Sequence, residues 1–259
     1  MKWWFSDFDG TISLSYNKDI DKRDLNFINK WIAEGNKFTV ATGRMINQIK
    51  DVLKNLKIPY NYIICNNGAV VYEKERGVIA HNIIPKKNRA EIVKILKNIR
   101  ERYMISYCLL DKRYDYSTVQ TREIDDLYTT APKSNRFETG DKDILESDNL
   151  NTLLFYINQE DAERVKAYFS AIPELKAIRT HTNMIEVVCK NVSKAKGIEV
   201  IQKIYGFNDE HIIASGDGEN DIEMLEKANL SFAMTNHQPG VSEYANHVIG
   251  NVFEIEEYI

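Results

Sequence analysis

From Lys2 to Ser215 short apolar runs alternate with amphipathic stretches, the pattern of strands and crossover helices packed around a parallel sheet. Trp3 to Ser6 reads as the first strand. Leu25, Ile28 and Ile32 recur at helical spacing within Asp21 to Glu34, Gly35 stops that helix, and Phe38 to Ala41 is the next strand. Ile46, Ile49, Val52, Leu53 and Leu56 then predict a second helix ahead of Pro59, and Tyr62 to Cys65 supplies a third strand.

After Asn66-Asn67-Gly68 the pattern changes. Val70 to Tyr72 and Val78 to His81 flank Glu73 to Gly77, which predicts a hairpin rather than a crossover. The next hundred residues combine helices (Ala90 to Arg102, Asp161 to Ala171) with strands (Ile105 to Leu109, Thr152 to Ile157, Leu175 to Arg179). Between them the polar segment Ser117 to Asn149 lacks apolar periodicity and reads as excursion loops or short helices. At Met184 to Val188 a strand marks the return of the first pattern, followed by a helix over Lys194 to Tyr205 and a strand over His211 to Ser215. The expectation is an α/β core of residues 1–82 and 184–259, interrupted once by an α+β insert of residues 83–183.

Charge narrows the function. The 259 residues carry a formal net charge of -4 with both signs interspersed, so no basic field exists to hold a polyanion, and neither nucleic acid nor an acidic membrane is expected as a partner. Apolar stretches fall far short of the roughly 20 residues that span a bilayer, and the N-terminus lacks a small-residue cleavage site. Cys65, Cys108 and Cys189 are scattered singly, which fits a reducing cytoplasm and gives neither a disulfide framework nor a zinc knuckle. The five histidines are too dispersed for a metal cluster.

Four segments carry candidate chemistry, each at a junction between a strand and a helix. Asp7-Phe8-Asp9-Gly10-Thr11 follows the first strand, at the end where ligands bind in open α/β sheets. Carboxylates two residues apart on extended chain point to one side and need a cation or a shared proton, while Gly10 lets the backbone turn its N–H groups toward an anion. Thr42 and Gly43, in Ala41-Thr42-Gly43-Arg44, place a hydroxyl and helix-start amides where phosphate oxygens bind. Lys194, in Ser193-Lys194-Ala195-Lys196-Gly197, sits at a helix start, where the dipole disfavours a cation unless an anion is bound. Gly216-Asp217-Gly218-Glu219-Asn220-Asp221 gathers hard oxygen donors suited to Mg2+, and Asp221 stands where a dinucleotide fingerprint needs Gly or Ala. Any one of these is as readily a turn or a helix cap. Together they are the set that phosphoryl transfer to a carboxylate requires.

In order and spacing these motifs resemble the haloacid dehalogenase superfamily, and specifically its Cof-type phosphatases; Asn66-Asn67-Gly68-Ala69 also resembles that branch's loop after the third strand. The resemblance implies a Rossmann-like parallel-sheet core with an inserted α+β cap of the C2 type. It implies Asp7 as nucleophile and Asp9 as general acid and base. Mg2+ would be held by Asp7, the carbonyl of Asp9 and Asp217, with Asp221 in support, and the phosphoryl group by Gly10, Thr42, Gly43, Lys194 and Asn220. Lys196 stands two residues from Lys194 and is the alternative lysine. Arg44, Asn67, Arg122, Arg179, His181 and Asn183 are candidates for contact with the leaving group. The resulting expectation is a cytoplasmic phosphatase, monomeric or weakly dimeric, acting on a small phosphorylated metabolite such as a sugar phosphate. A phosphohexomutase and a non-catalytic phosphometabolite sensor are the competing readings.

Overall fold

The computed structural model describes residues 1–15, 19–118, 133–134, 137–181 and 183–259. Its contacts divide the chain into two units, Met1–Ala80 with Ser193–Ile259, and His81–Val192. The first unit opens with β1 (Trp3–Ser6), α1 (Lys22–Ala33), β2 (Lys37–Ala41), α2 (Ile46–Asn55), β3 (Tyr62–Cys65), β4 (Val70–Glu73) and β5 (Gly77–His81). Strand alternation sends the adjacent tryptophans to opposite faces of β1. Trp3 stacks on Phe207 with ring centroids 4.0 Å apart, whereas Trp4 packs against Phe27, Trp31 and Phe38. The aromatic packing rotates α1 relative to the sequence expectation. Its buried stripe is Asp24, Phe27, Ile28 and Trp31, and Leu25 and Ile32 lie on the flank of that stripe. Asp24 is buried because it accepts hydrogen bonds from Asn251 Nδ2 (3.1 Å) and the Phe253 amide (2.9 Å), which fastens the C-terminal segment to α1.

The insert comprises α3 (Arg89–Ile99), β6 (Met104–Leu109), β7 (Lys112–Asp115), β8 (Lys133–Ser134), α4 (Phe137–Glu146), β9 (Leu150–Tyr156), α5 (Gln159–Ser170), β10 (Leu175–His181) and β11 (Met184–Cys189). They form a six-stranded sheet in the order β10-β11-β9-β6-β7-β8. Here one expectation is corrected: Met184 to Val188 does not return to the core. It pairs antiparallel with both β9 and β10 inside the insert, and the first unit resumes only at Ser193. The physical reason is pairing: the strand matches β9 and β10 along its length in antiparallel register, and its buried Glu186 accepts a hydrogen bond from Thr180 on β10 of the same sheet. Ile105, Tyr107, Leu153, Phe155, Ile185 and Val187 pack with Ile92, Leu96, Ile144, Val165 and Phe169 of the helices. The opposite face carries Ser106, Cys108, Thr152, Tyr156 and Glu186, with Thr180 Oγ1 donating to Glu186 (3.1 Å) and Arg113 to the Tyr156 hydroxyl (2.9 Å).

The chain then adds α6 (Lys194–Tyr205), β12 (Ile212–Gly216), α7 (Ile222–Lys227), β13 (Leu230–Met234) and β14 (His247–Ile249) to the first unit. Its eight-stranded sheet runs β14-β13-β12-β1-β2-β3-β4-β5, parallel from β14 to β3, with β4 antiparallel to β3. The order reverses direction at β1, between β12 and β2, where the crevice of a doubly wound sheet lies. Two close approaches set α6 beside that crevice. A Cβ on Gly68 would lie 2.0 Å from the Ser193 carbonyl oxygen, and one on Gly197 would lie 2.6 Å from the Ile64 side chain. Among the described residues no helix is long and apolar enough to cross a membrane.

Candidate active site

The register Ser6 with Ser215 brings the carboxyl ends of β1 and β12 side by side, and the Asp7 amide extends the ladder by donating to the Ser215 carbonyl at 2.8 Å. The chain then turns back, Ile12 and Ser13 donating to the Phe8 carbonyl at 3.0 and 2.8 Å, with Gly10 at φ +88. Only glycine fits there. A Cβ would stand 2.5 Å from Asp217 Oδ2, so the residue's absence of side chain lets Asp217 approach the turn. Thr11 Oγ1 donates to Asp217 Oδ1 at 3.0 Å and fixes its rotamer.

Lys194, fully buried, joins three segments that are far apart in sequence. Its ammonium donates to Asp7 Oδ1 at 2.5 Å and to Asp221 Oδ1 at 2.6 Å. The other Asp221 oxygen accepts from the amides of Asp217 (3.0 Å) and Gly218 (2.9 Å), which closes the acidic loop on itself. Asp221 therefore holds the loop and the lysine together. Lys196, by contrast, is exposed and pairs with Glu199 at 2.8 Å.

The electrostatics of this cluster are unbalanced. One carboxylate oxygen each from Asp7, Asp217 and Asp221 lie within 4.8 Å of one another, and one ammonium pairs with two of the three. Burial pushes the Asp7 carboxyl well above the ordinary range; Lys194 opposes this, and repulsion from Asp221, Asp217 and Asp9 adds to it. Asp217 is pushed up to about 6, by burial first and by Asp221 next, with the Thr11 hydrogen bond and Lys194 pulling the other way. Burial alone would lower Lys194, but Asp221 and Asp7 reverse that and carry it above the usual lysine value. Three carboxylates this close need a cation or a bound proton, and oxygen donors of this kind fit a hard divalent ion.

Asp9 departs from the sequence expectation that the two carboxylates share a cation or a proton. The cation it faces is Arg44. The guanidinium grips Asp9 at two points, Nε to Oδ2 at 2.6 Å and Nη2 to Oδ1, and Arg44 is mostly buried. Thr42 is buried, its hydroxyl accepting from the Arg44 amide at 3.1 Å. The Asn67 amide donates to the Thr42 carbonyl at 3.0 Å, and Asn220 Nδ2 donates to Asn67 Oδ1 at 2.9 Å, so the second and fourth motifs are knitted through the loop after β3. Asn66 and Asn67 both adopt left-handed backbone (φ 48 and 53), a conformation asparagine tolerates better than most residues.

The insert candidates separate. Arg179 lies on the face of β10 shared with Leu175 and Ala177, the helix-packed face, and Asn183 lies in the exposed turn to β11, its carbonyl accepting from the Ile157 amide at 2.9 Å. The backbone of His181 ends β10, and Arg122 lies outside the described residues. Sequence reasoning missed Gln238, which accepts from the Glu219 amide at 3.0 Å and whose own amide donates to the Asp217 carbonyl at 2.7 Å. No local signal marks it, because it reaches the loop from across β13.

Comparisons with known proteins give the family. A family model described as haloacid dehalogenase-like hydrolase matches residues 4–254. A 5-amino-6-(5-phospho-D-ribitylamino)uracil phosphatase of Bacillus subtilis, YitU, is 26% identical over 93% of this chain and 88% of its own length. The Escherichia coli phosphatase of the same name, YbjI, is 27% identical over 95% of this chain and 89% of its length. Among solved structures, a Thermotoga maritima protein (24% identical) superposes with a TM-score of 0.85 over 100% of this chain and 97% of its own. A phosphatase of the superfamily from Bacteroides thetaiotaomicron (22% identical) gives 0.81 over 100% and 94%. With the motif geometry and a match over nearly its whole length, the chain belongs to the haloacid dehalogenase-like hydrolases, as a phosphoric monoester hydrolase of the Cof type.

Proposed function

We propose that this protein is a Mg2+-dependent phosphatase that hydrolyses small phosphorylated metabolites, in particular sugar or polyol phosphates, through a phosphorylated Asp7. The observation that carries this reading is the Lys194 ammonium, buried at the start of α6 and shared by Asp7 and Asp221 with Asp217 alongside. A cation at a helix N-terminus is electrostatically disfavoured, and the surrounding anions supply the compensation. Asp7 and Asp217 with the Asp9 carbonyl would hold Mg2+, Asp221 standing behind them. The ion would supply positive charge to neutralise the carboxylates and the phosphate oxygens.

In the first half-reaction an Asp7 carboxylate oxygen attacks phosphorus, the bond from phosphorus to the ester oxygen breaks, and Asp9 gives its proton to that leaving oxygen. In the second, Asp9 takes a proton from water, the water oxygen attacks phosphorus, and the Asp7–phosphorus bond breaks to release inorganic phosphate. Lys194, Thr42, Gly43, Gly10 and Asn220 stabilise the charge on the transferring group. Since Asp9 is gripped by Arg44, its carboxyl must leave that ion pair to meet the leaving oxygen. The substrate class rests on the relatives, whose names include phosphatases of a phosphoribityl compound and, among solved structures, a sugar phosphatase. Three free cysteines, two of them buried, accord with a cytoplasmic setting.

The test is phosphate release from p-nitrophenyl phosphate and from a panel of sugar and polyol phosphates, with Mg2+ and with EDTA. Metal-dependent release is expected. Folded protein that releases nothing from any compound with Mg2+ present would overturn the reading, and dependence on a sugar bisphosphate activator would replace it with a mutase.

A further inference from the structure

Behind the catalytic edge, on the α1 side of the sheet, three buried side chains form a chain of hydrogen bonds that ends on Asp7. Trp4 and Ser6 stand two residues apart on β1 and so share a face, and Ser215 on β12 is the register partner of Ser6. Trp4 Nε1 donates to Ser215 Oγ at 3.0 Å, the Ser215 hydroxyl donates to Ser6 Oγ at 2.7 Å, and the Ser6 hydroxyl donates to the main-chain oxygen of Asp7 at 2.8 Å. All three side chains are fully buried. An indole N–H can only donate and a carbonyl can only accept, so the two ends fix the orientation of both hydroxyls.

The chain closes around Asp7. Ser6 holds the carbonyl on one side of its Cα, and the Ser215 carbonyl accepts the Asp7 amide on the other. The aromatic rings of Phe27, Trp31 and Phe38 surround Trp4 and keep the local dielectric low, which strengthens each bond and makes a broken one costly. Serine is an unusual choice in the interior of a parallel sheet, where Val or Ile would bury more apolar surface. Lys194 grips the Asp7 carboxylate from the opposite end of the residue.

We propose that Trp4, Ser215 and Ser6 are positioning residues for Asp7: they lock the main chain on both sides of its Cα, so that the carboxylate keeps one aim. The inference rests on the assignment of Asp7 as nucleophile. Attack requires reacting atoms about 3–3.5 Å apart and aligned, and a misplacement of about 1 Å can cost about a hundredfold in rate.

The experiment compares kcat and KM, at saturating Mg2+, for S6A, S215A, the double variant S6A/S215A, W4F and D7N, with thermal unfolding of each. S6A is expected to lower kcat about tenfold with KM within about twofold of wild type, and W4F to lower kcat about threefold. The double variant is expected to be no slower than the slower single variant, because the chain acts as one unit. A kcat for folded S6A within about twofold of wild type overturns the proposal whatever happens to its unfolding temperature, since a core-filling role moves stability alone. Losses that multiply in the double variant overturn it too. If S6A does not fold, W4F, three bonds from Asp7, carries the same test, and an unchanged kcat sinks the proposal. D7N separates the two readings: turnover by D7N removes the nucleophile assignment and the relay with it, while inactive D7N beside a fully active S6A removes only the relay.

Discussion

Both units bury charged side chains, and Arg89 of the insert and the acidic cluster of the first unit are treated in opposite ways. In the insert, Arg89 is fully buried and its guanidinium is satisfied in place, by the carbonyls of Ile84 (2.9 and 2.7 Å), Ile144 (3.3 Å) and Ser147. In the first unit, Asp7, Asp217 and Asp221 converge on one another with Lys194 as the cation among them. The first arrangement closes its hydrogen bonds and stabilises a fold. The second leaves like charges adjacent, which a protein does not need for folding and which a phosphoryl group with a cation would complete.

That contrast is sharpest at Asp7. D7N is expected to lower phosphatase activity at least about a thousandfold, about 4 kcal/mol in the barrier. Because it removes one of three repelling carboxylates, its metal-free unfolding temperature should not fall below that of wild type. A steady-state assay and a thermal melt of the same sample check both halves. Arg89 should give the mirror image. R89M leaves the carbonyls that Arg89 caps without a donor, and a stability loss of about 3 kcal/mol is expected from denaturant unfolding.

Arg44 tests whether Asp9 belongs with the unbalanced group. R44A frees Asp9 from the ion pair that must open in each turnover, so kcat is expected to rise by up to about threefold with KM unchanged, and R44K to rise less because its ammonium still pairs with Asp9 without the fork. An R44A enzyme whose KM alone rises would return Arg44 to substrate contact, the role its sequence position first implied. The smallest effect expected is thermal. Asp217 is pushed up to about 6 from an ordinary 3.8, so the metal-free folded state binds its proton more tightly than the unfolded chain does. That contribution to stability is complete below the unfolded value and is lost as pH rises through about 6. Mg2+ needs the deprotonated carboxylates, so its stabilising shift should be slight near about pH 5 and reach several degrees near about pH 8. A shift independent of pH would place the ion elsewhere.

The same division governed what the sequence could tell. Strands Trp3–Ser6 and Tyr62–Cys65 and helix Lys194–Tyr205 were legible because each is bounded by a turn or cap residue and follows one period throughout. The motif residues at the strand ends were legible for a related reason: parallel strands gather their carboxyl ends on one edge, so position along the chain becomes position in space. The sequence does not place Met184–Cys189, because a run of six apolar or mixed residues does not reveal which sheet it joins. β13 and β14 are not marked by the sequence, since Leu230–Met234 interleaves Ser231 and Ala233 with its larger apolar residues and His247–Ile249 is only three residues long. The Asp9–Arg44 pair and the Trp4-Ser215-Ser6 relay depend on register between strands distant in sequence, and no local pattern encodes that. In the insert, alternation identifies two faces without saying which of them meets the helices, and Arg179 fell on the helix-packed side.

The most direct test of a phosphorylated Asp7 is the stereochemistry at phosphorus. Hydrolysis of a chiral, isotopically labelled phosphorothioate ester with Mg2+ present reports how many in-line displacements occur. Two displacements, first by Asp7 and then by water, predict overall retention of configuration. Inversion would mean that water attacks the substrate directly, and would contradict Asp7 as the nucleophile.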